Sequence, residues 1–67
     1  MIDIIIPIYN AFEMTVQCIN SILENTEKDS YRLILINDKS TDTRINDYIK
    51  QFDGDENGNI VINNETN

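Results

Sequence analysis

The stretch most able to do chemistry is the polar run at residues 37–42, Asn-Asp-Lys-Ser-Thr-Asp, which ends the aliphatic run Leu-Ile-Leu-Ile of residues 33–36. A tight turn needs only two residues and a glycine. This segment instead places carboxylates, hydroxyls and an amide where a strand feeds a helix. A second strand end, Pro-Ile-Tyr-Asn at residues 7–10, contributes an aromatic ring. In open α/β sheets a ligand sits beyond the carboxyl ends of the strands, so these two segments form the candidate site. Asp38 can accept hydrogen bonds from an imide N–H of uracil type or from ribose hydroxyls, and Tyr9 can offer a ring its face or edge. The bland alternatives stand beside these roles: an Asp after a strand often only caps a helix, and a Tyr after Pro often only packs.

The sequence also excludes several chemistries. No glycine precedes Gly54, so neither G-x-G-x-x-G nor G-x-x-x-x-G-K-[ST] is present. A ligand bound without a glycine cradle is held by its base or sugar rather than by its phosphates. The chain has no histidine and one cysteine, Cys18, which leaves no Cys-His pair and no zinc set. Cys18 falls in a helical pattern and reads as a small buried hydrophobe. Twelve acidic residues against five basic ones, a formal charge of −7, argue against nucleic-acid binding. The longest apolar run is far too short to span a bilayer, and no N-terminal basic segment marks a signal peptide. With no disulfide framework, the expectation is a soluble, cytoplasmic chain.

The elements that must position the site follow from periodicity. Residues 2–8 are almost continuously apolar and β-branched, which suits a strand covered on both faces, fraying or bending at Pro7. Asn10 is placed to cap the next helix, with Glu13 in the capping-box position. Phe12, Val16, Ile19 and Leu23, widened by Ile22, form one helical stripe, and Thr15, Gln17, Asn20 and Glu24 fill the polar side. This helix ends near Asn25 or Thr26. Residues 31–37 form a second buried strand. Ile45, Tyr48, Ile49 and Phe52 mark a second helix, for which Ser40, Thr41 and Asp42 are capable caps. A turn-rich loop holding both glycines precedes a third strand at residues 60–63. The fold class is therefore α/β, a β-α-β-α-β three-stranded parallel sheet flanked by helices, the Rossmann-like half of a doubly wound domain. At 67 residues it is one small domain that buries about 60% of the surface its unfolded chain exposes.

The acidic loop at residues 53–58 carries EF-hand letters, with Asp53, Asp55 and Asn57 at positions 1, 3 and 5 and Gly58 at 6. Position 12 is Asn64 rather than Glu, and a β-branched segment follows where a helix should. A solvated turn fits better, with weak divalent binding left open.

Residues 2–23 and 31–42 together resemble the start of family 2 glycosyltransferases, the inverting GT-A class. In that family the first strand ends in Pro-x-Tyr-Asn and the second in an acidic segment written Asp-Asp-Gly-Ser-x-Asp. Residues 60–67 resemble the family's third strand and Asn-rich loop, so the likeness covers essentially residues 1–67 as a single truncated nucleotide-sugar-binding domain. The resemblance implies transfer of a sugar from a nucleotide-diphosphate donor of UDP type to a glycan or other acceptor. It places Pro7 and Tyr9 on the first nucleotide-contacting loop and Asp38 on the carboxylate that binds the base. Asp42 matches a later acidic position and reads chiefly as a cap or loop organiser.

This sequence departs from the family at Asn37, where Asp is common, and at Lys39, where Gly is common. If the backbone has positive φ there, Lys39 is strained by roughly 1 kcal/mol. The family's Asp-x-Asp segment, which holds Mn²⁺ or Mg²⁺ in the complete domain, and its catalytic base have no counterpart. Asp53-Gly54-Asp55 has the right letters before the wrong strand. No metal-binding or catalytic role is therefore assigned to any residue, and the segment is expected to be inactive alone. The alternative is a non-catalytic, stand-alone βαβαβ module. An apolar first strand with one open edge also invites pairing with another copy. The expected outcome is dimers or higher assemblies at micromolar concentration, and a clean monomer by light scattering would refute it.

Overall fold

The computed structural model describes residues 2–64. The element order is β1 (Ile2–Ile8), α1 (Phe12–Asn25), a short 3₁₀ turn (Lys28–Ser30), β2 (Tyr31–Asp38), α2 (Thr43–Lys50) and β3 (Ile60–Asn64). The three strands are parallel in the order β1-β2-β3, with β2 central. This is the Rossmann-like α/β arrangement that the periodicity called for. The Asn-rich segment read after β3 lies partly outside the described residues.

Alternation along β2 sets up the two sides of the sheet. Tyr31, Leu33, Leu35 and Asn37 are buried, whereas Arg32, Ile34, Ile36 and Asp38 are only half-buried. The first set joins Ile8, Ile19, Ile45, Ile49 and Phe52 in one core, so both helices lie on the same side. Two crossovers that progress in one direction across a sheet put their helices on one face when both are right-handed. The expectation of strands covered on both faces is thereby corrected. Ile5 is 61% exposed, and Ile60 and Ile62 stand 37% and 43% exposed beside Ile34 and Ile36. The opposite face of the sheet is a bare isoleucine surface, closed at one end by a bidentate Arg32–Asp3 pair at 3.0–3.1 Å.

β1 runs through Pro7 without a break, and Pro7 keeps its register opposite Ile36. The expected fraying is absent because β1 lies at the edge of the sheet, where a proline can turn its missing donor away from the neighbour.

On α1 the buried positions are Thr15 and Ile19, flanked by half-buried Phe12, Val16 and Ile22. Thr15, read as polar-side, is inside, and Leu23, read as core, is 40% exposed. Cys18 is exposed rather than buried. The inner face is thus centred slightly toward Thr15 and Ile22, with Leu23 left at its margin. Phe12 meets Tyr48 edge-on at 6.1 Å, and Tyr48 meets Phe52 at 5.5 Å, so an aromatic chain ties α1 to α2.

The loop before β3 is built from its own side chains. Asp55 Oδ1 accepts from the Asn57 and Asn59 amides, and Asp53 Oδ1 accepts from the Val61 amide. Asn59 is buried, and its Oδ1 takes the Leu33 amide at 2.7 Å, occupying the ladder position just before β3 begins. Positive φ at Gly54 and Gly58 suits the two reversals. The loop leads into a strand, so it is not an EF-hand.

Asp42 caps α2 through its Oδ1, which accepts from the Arg44 amide at 3.0 Å. The Arg44 side chain also grips both Asp42 oxygens, and these hydrogen bonds hold the Asp42 carboxyl below its ordinary range. A depressed carboxylate contributes stability that is complete above its unfolded value and lost as pH falls through its folded value. The expected outcome is that Asp42→Asn, which keeps the cap acceptor, has a shallower loss of helical circular dichroism below about pH 4 than the parent. Identical acid profiles would remove Asp42 as a contributor. In the core, Leu35→Ala should cost about 2–5 kcal/mol in urea denaturation, enough to unfold much of so small a domain. Ile5→Ala on the bare face should shift the midpoint little, and equal losses for both variants would contradict a one-sided core.

Candidate functional site

The register of β1 on β2 sets the geometry of the site. Pro7 lies opposite Ile36 and Ile8 opposite Asn37. The next residues along each strand, Tyr9 and Asp38, therefore emerge side by side at the carboxyl rim of the sheet. Tyr9 is 61% exposed, and Pro7 is exposed as well. Asp38 is half-buried on the bare-face side of β2, because Asn37 before it points to the helix side. All three sequence-selected residues share one rim.

The backbone of this rim is strained. Among the described residues, positive φ occurs at three non-glycine positions: Asn10 (51°), Ala11 (56°) and Lys39 (57°). All three belong to the two loops that leave β1 and β2. A left-handed conformation costs a residue with a Cβ roughly 1 kcal/mol or more, and such strain persists only where surrounding contacts fix it. The expectation for Lys39, drawn from the glycine that the resemblance puts there, is met in the backbone angle.

The fixing contacts run through carboxamides. Asn10 does not cap α1: the capping position is Ala11, with no side-chain hydrogen bond, and Glu13 pairs with Arg44 at 3.2 Å instead of closing a capping box. Asn10 reaches across to the second loop. Its Oδ1 accepts from the Thr41 amide at 2.9 Å and the Asp42 amide at 3.0 Å, and its own amide donates to Ser40 Oγ at 2.9 Å. The local capping pattern is outcompeted because the left-handed turn at residues 10 and 11 carries the side chain away from α1.

Asn37 is the second hub. It is 4% exposed, and its Nδ2 donates to Asn46 Oδ1 at 2.7 Å and Asn63 Oδ1 at 3.2 Å. Its Oδ1 accepts from the Ser40 amide at 3.1 Å. Ser40 is thus held from both sides, its amide by Asn37 and its hydroxyl by Asn10. No buried side-chain polar atom among the described residues lacks a partner. Sequence reading missed these organisers, apart from noting that Asn37 replaces an Asp. The available signal was the recurrence of Asn at the ends of all three strands.

This network leaves the Asp38 carboxylate outside it, and no ion pair among the described residues uses Asp38. Asp38 is thus an acceptor set on a rigid base and open to the bare-face side. On the helix side, a cleft of about 510 Å³ is lined by Asn37, Lys39, Ser40, Asn46, Asn63 and Asn64. Pro7, Tyr9 and Asp38 are not among its lining residues. Lys39 borders this cleft and could meet an anion there.

No group of three or more His, Cys, Asp or Glu among the described residues is placed to hold a metal ion. Asp53 and Asp55 spend carboxylate oxygens on backbone amides instead. No helix among these residues is long and apolar enough to cross a membrane.

The sequence pattern described as glycosyl transferase family 2 matches residues 3–67. A poly(ribitol-phosphate) beta-glucosyltransferase of Bacillus spizizenii (strain ATCC 23059 / NRRL B-14472 / W23) is 34% identical over 65 residues. That match covers 91% of this chain but 10% of the relative, so the chain spans about a tenth of the relative's length. No solved structure matches the chain. With the family pattern covering both strand ends and the loops that join them, the chain belongs to glycosyl transferase family 2.

Proposed function

We propose that this chain is the nucleotide-reading portion of a glycosyltransferase that takes its sugar from a UDP-type donor. The observation that carries this is the juxtaposition of Tyr9 and Asp38 by the Ile8–Asn37 register, within a family 2 sequence. In the proposed pose the Asp38 carboxylate accepts the imide N–H of uracil. Tyr9 lies against the ring, and Pro7 stiffens the strand end that presents Tyr9. A carboxylate rewards uracil over cytosine, because cytosine has no hydrogen on that ring nitrogen and would leave the acceptor unpaired.

In this reading the two strand ends supply recognition of the base. The name of the Bacillus relative makes a glucosyl donor and a poly(ribitol-phosphate) acceptor the first to test in the whole enzyme. A second reading, a non-catalytic module that self-associates, is favoured by the bare isoleucine face and by the outer edge of β1, which pairs with no described strand.

Nuclear magnetic resonance titration separates the two. UDP should bind weakly, in the millimolar range, and about tenfold more tightly than CDP, one hydrogen bond's worth of discrimination. Asp38→Ala should abolish that preference while leaving the fold intact. Equal affinity for UDP and CDP would end the base-reading proposal.

A further inference from the structure

We infer that Asn10 is a positioning residue for nucleotide recognition: its carboxamide fixes the loop that follows Asp38, at the rim where the β1–β2 register sets Asp38 beside Tyr9. The inference rests on the base-reading role given above to Asp38. Asn10 touches the second loop at three consecutive residues, through the Ser40 hydroxyl and the Thr41 and Asp42 amides, all 30 to 32 positions away in sequence. Thr41 Oγ1 adds a longer contact at 3.4 Å. The Asn10 carbonyl meanwhile receives the buried Thr15 hydroxyl at 3.5 Å, which ties the residue back to α1. One residue therefore joins the first loop, the first helix and the second loop.

The left-handed φ of 51° at Asn10 belongs to this role. With that backbone, the Asn10 amide and side chain both address the second loop. Among residues with a side chain, Asn and Asp best tolerate the conformation. The second loop needs such a clamp because it turns at Lys39, φ 57°, without a glycine. Asn37 secures only its Ser40 amide from the helix side, and Asp42 engages Arg44 rather than β1. Without the Asn10 acceptor, the Thr41 and Asp42 amides turn to solvent, and between Asp38 and α2 only Ser40 stays tied, by the Asn37 carboxamide and the Asn10 backbone amide.

The test separates the backbone role of Asn10 from that of its side chain. Asn10→Gly accommodates the left-handed backbone and lacks the acceptor, while Asn10→Asp keeps both. In the wild-type chain the Thr41 and Asp42 amide protons should exchange slowly and resonate downfield. Asn10→Gly should speed their exchange about tenfold and weaken UDP binding by a similar factor, and Asn10→Asp should restore both. A structural role alone would lower the melting temperature without changing UDP affinity in the folded protein. The inference is overturned if Asn10→Gly leaves the two amides protected, if Asn10→Asp fails to rescue them, or if the amides open while UDP affinity is unchanged. Should the wild-type chain ignore UDP altogether, the base-reading role of Asp38 falls, and the positioning role of Asn10 falls with it even if the amides respond as expected.

Discussion

The parallel pairing of β1 with β2, in the register that sets Ile8 against Asn37, is the constraint on which the rest of this small domain depends. A slip of one residue would turn the whole alternating set of a strand to the wrong face. Leu33 and Leu35 would leave the core, and Asp38 would exchange sides with Asn37. The apolar core holds that register: Ile4, Ile6 and Ile8 on β1 and Leu33 and Leu35 on β2 share the helix side with Ile19, Ile45 and Ile49. The same ladder that buries these side chains delivers the strand ends level with each other, so packing and recognition are set by one geometric choice.

Above that ladder the rim is strained and cross-linked. Three left-handed residues with side chains are unfavourable in isolation, and they cluster where two loops meet. Hydrogen bonds from Asn10 and Asn37 offset that cost and make the rim stiffer than its exposure suggests. Arg44 reinforces the outside: it pairs with Glu13 and Asp42, and its guanidinium lies 4.6 Å from the centre of the Phe12 ring. These exposed ion pairs contribute modestly to stability, but they join the starts of α1 and α2.

Much of this was legible in the sequence, for reasons specific to each element. The aliphatic runs at residues 2–6 and 33–36, separated by a 14-residue helical stretch, allow few arrangements besides parallel strands with a crossover. Asp42 as the cap of α2 could be read locally, because its partner is two residues away. Asn10 could not. Its position before Phe12 and Glu13 imitates a capping box, and only the tertiary fold shows that its partners lie in the other loop. The two-sided cover expected for the sheet failed for a related reason. Composition shows that a strand is apolar on both sides, but not which elements are present to cover it. Thr15 and Leu23 were exchanged because a helical stripe read from apolar letters alone ignores a threonine that packs beside a neighbouring carbonyl.

The composition of the inner hub has a consequence for how the rim responds to its surroundings. Asn37, Asn46, Asn63 and Asn10 are all carboxamides, and none gains or loses a proton in water at any ordinary acidity. A carboxylate at position 37 would be a buried charge whose ionisation reversed its hydrogen-bonding sense. With asparagine there, the hub keeps one hydrogen-bonding pattern at any ordinary acidity, and the acid response of the rim falls to its outer clamp, Asp42 held by Arg44.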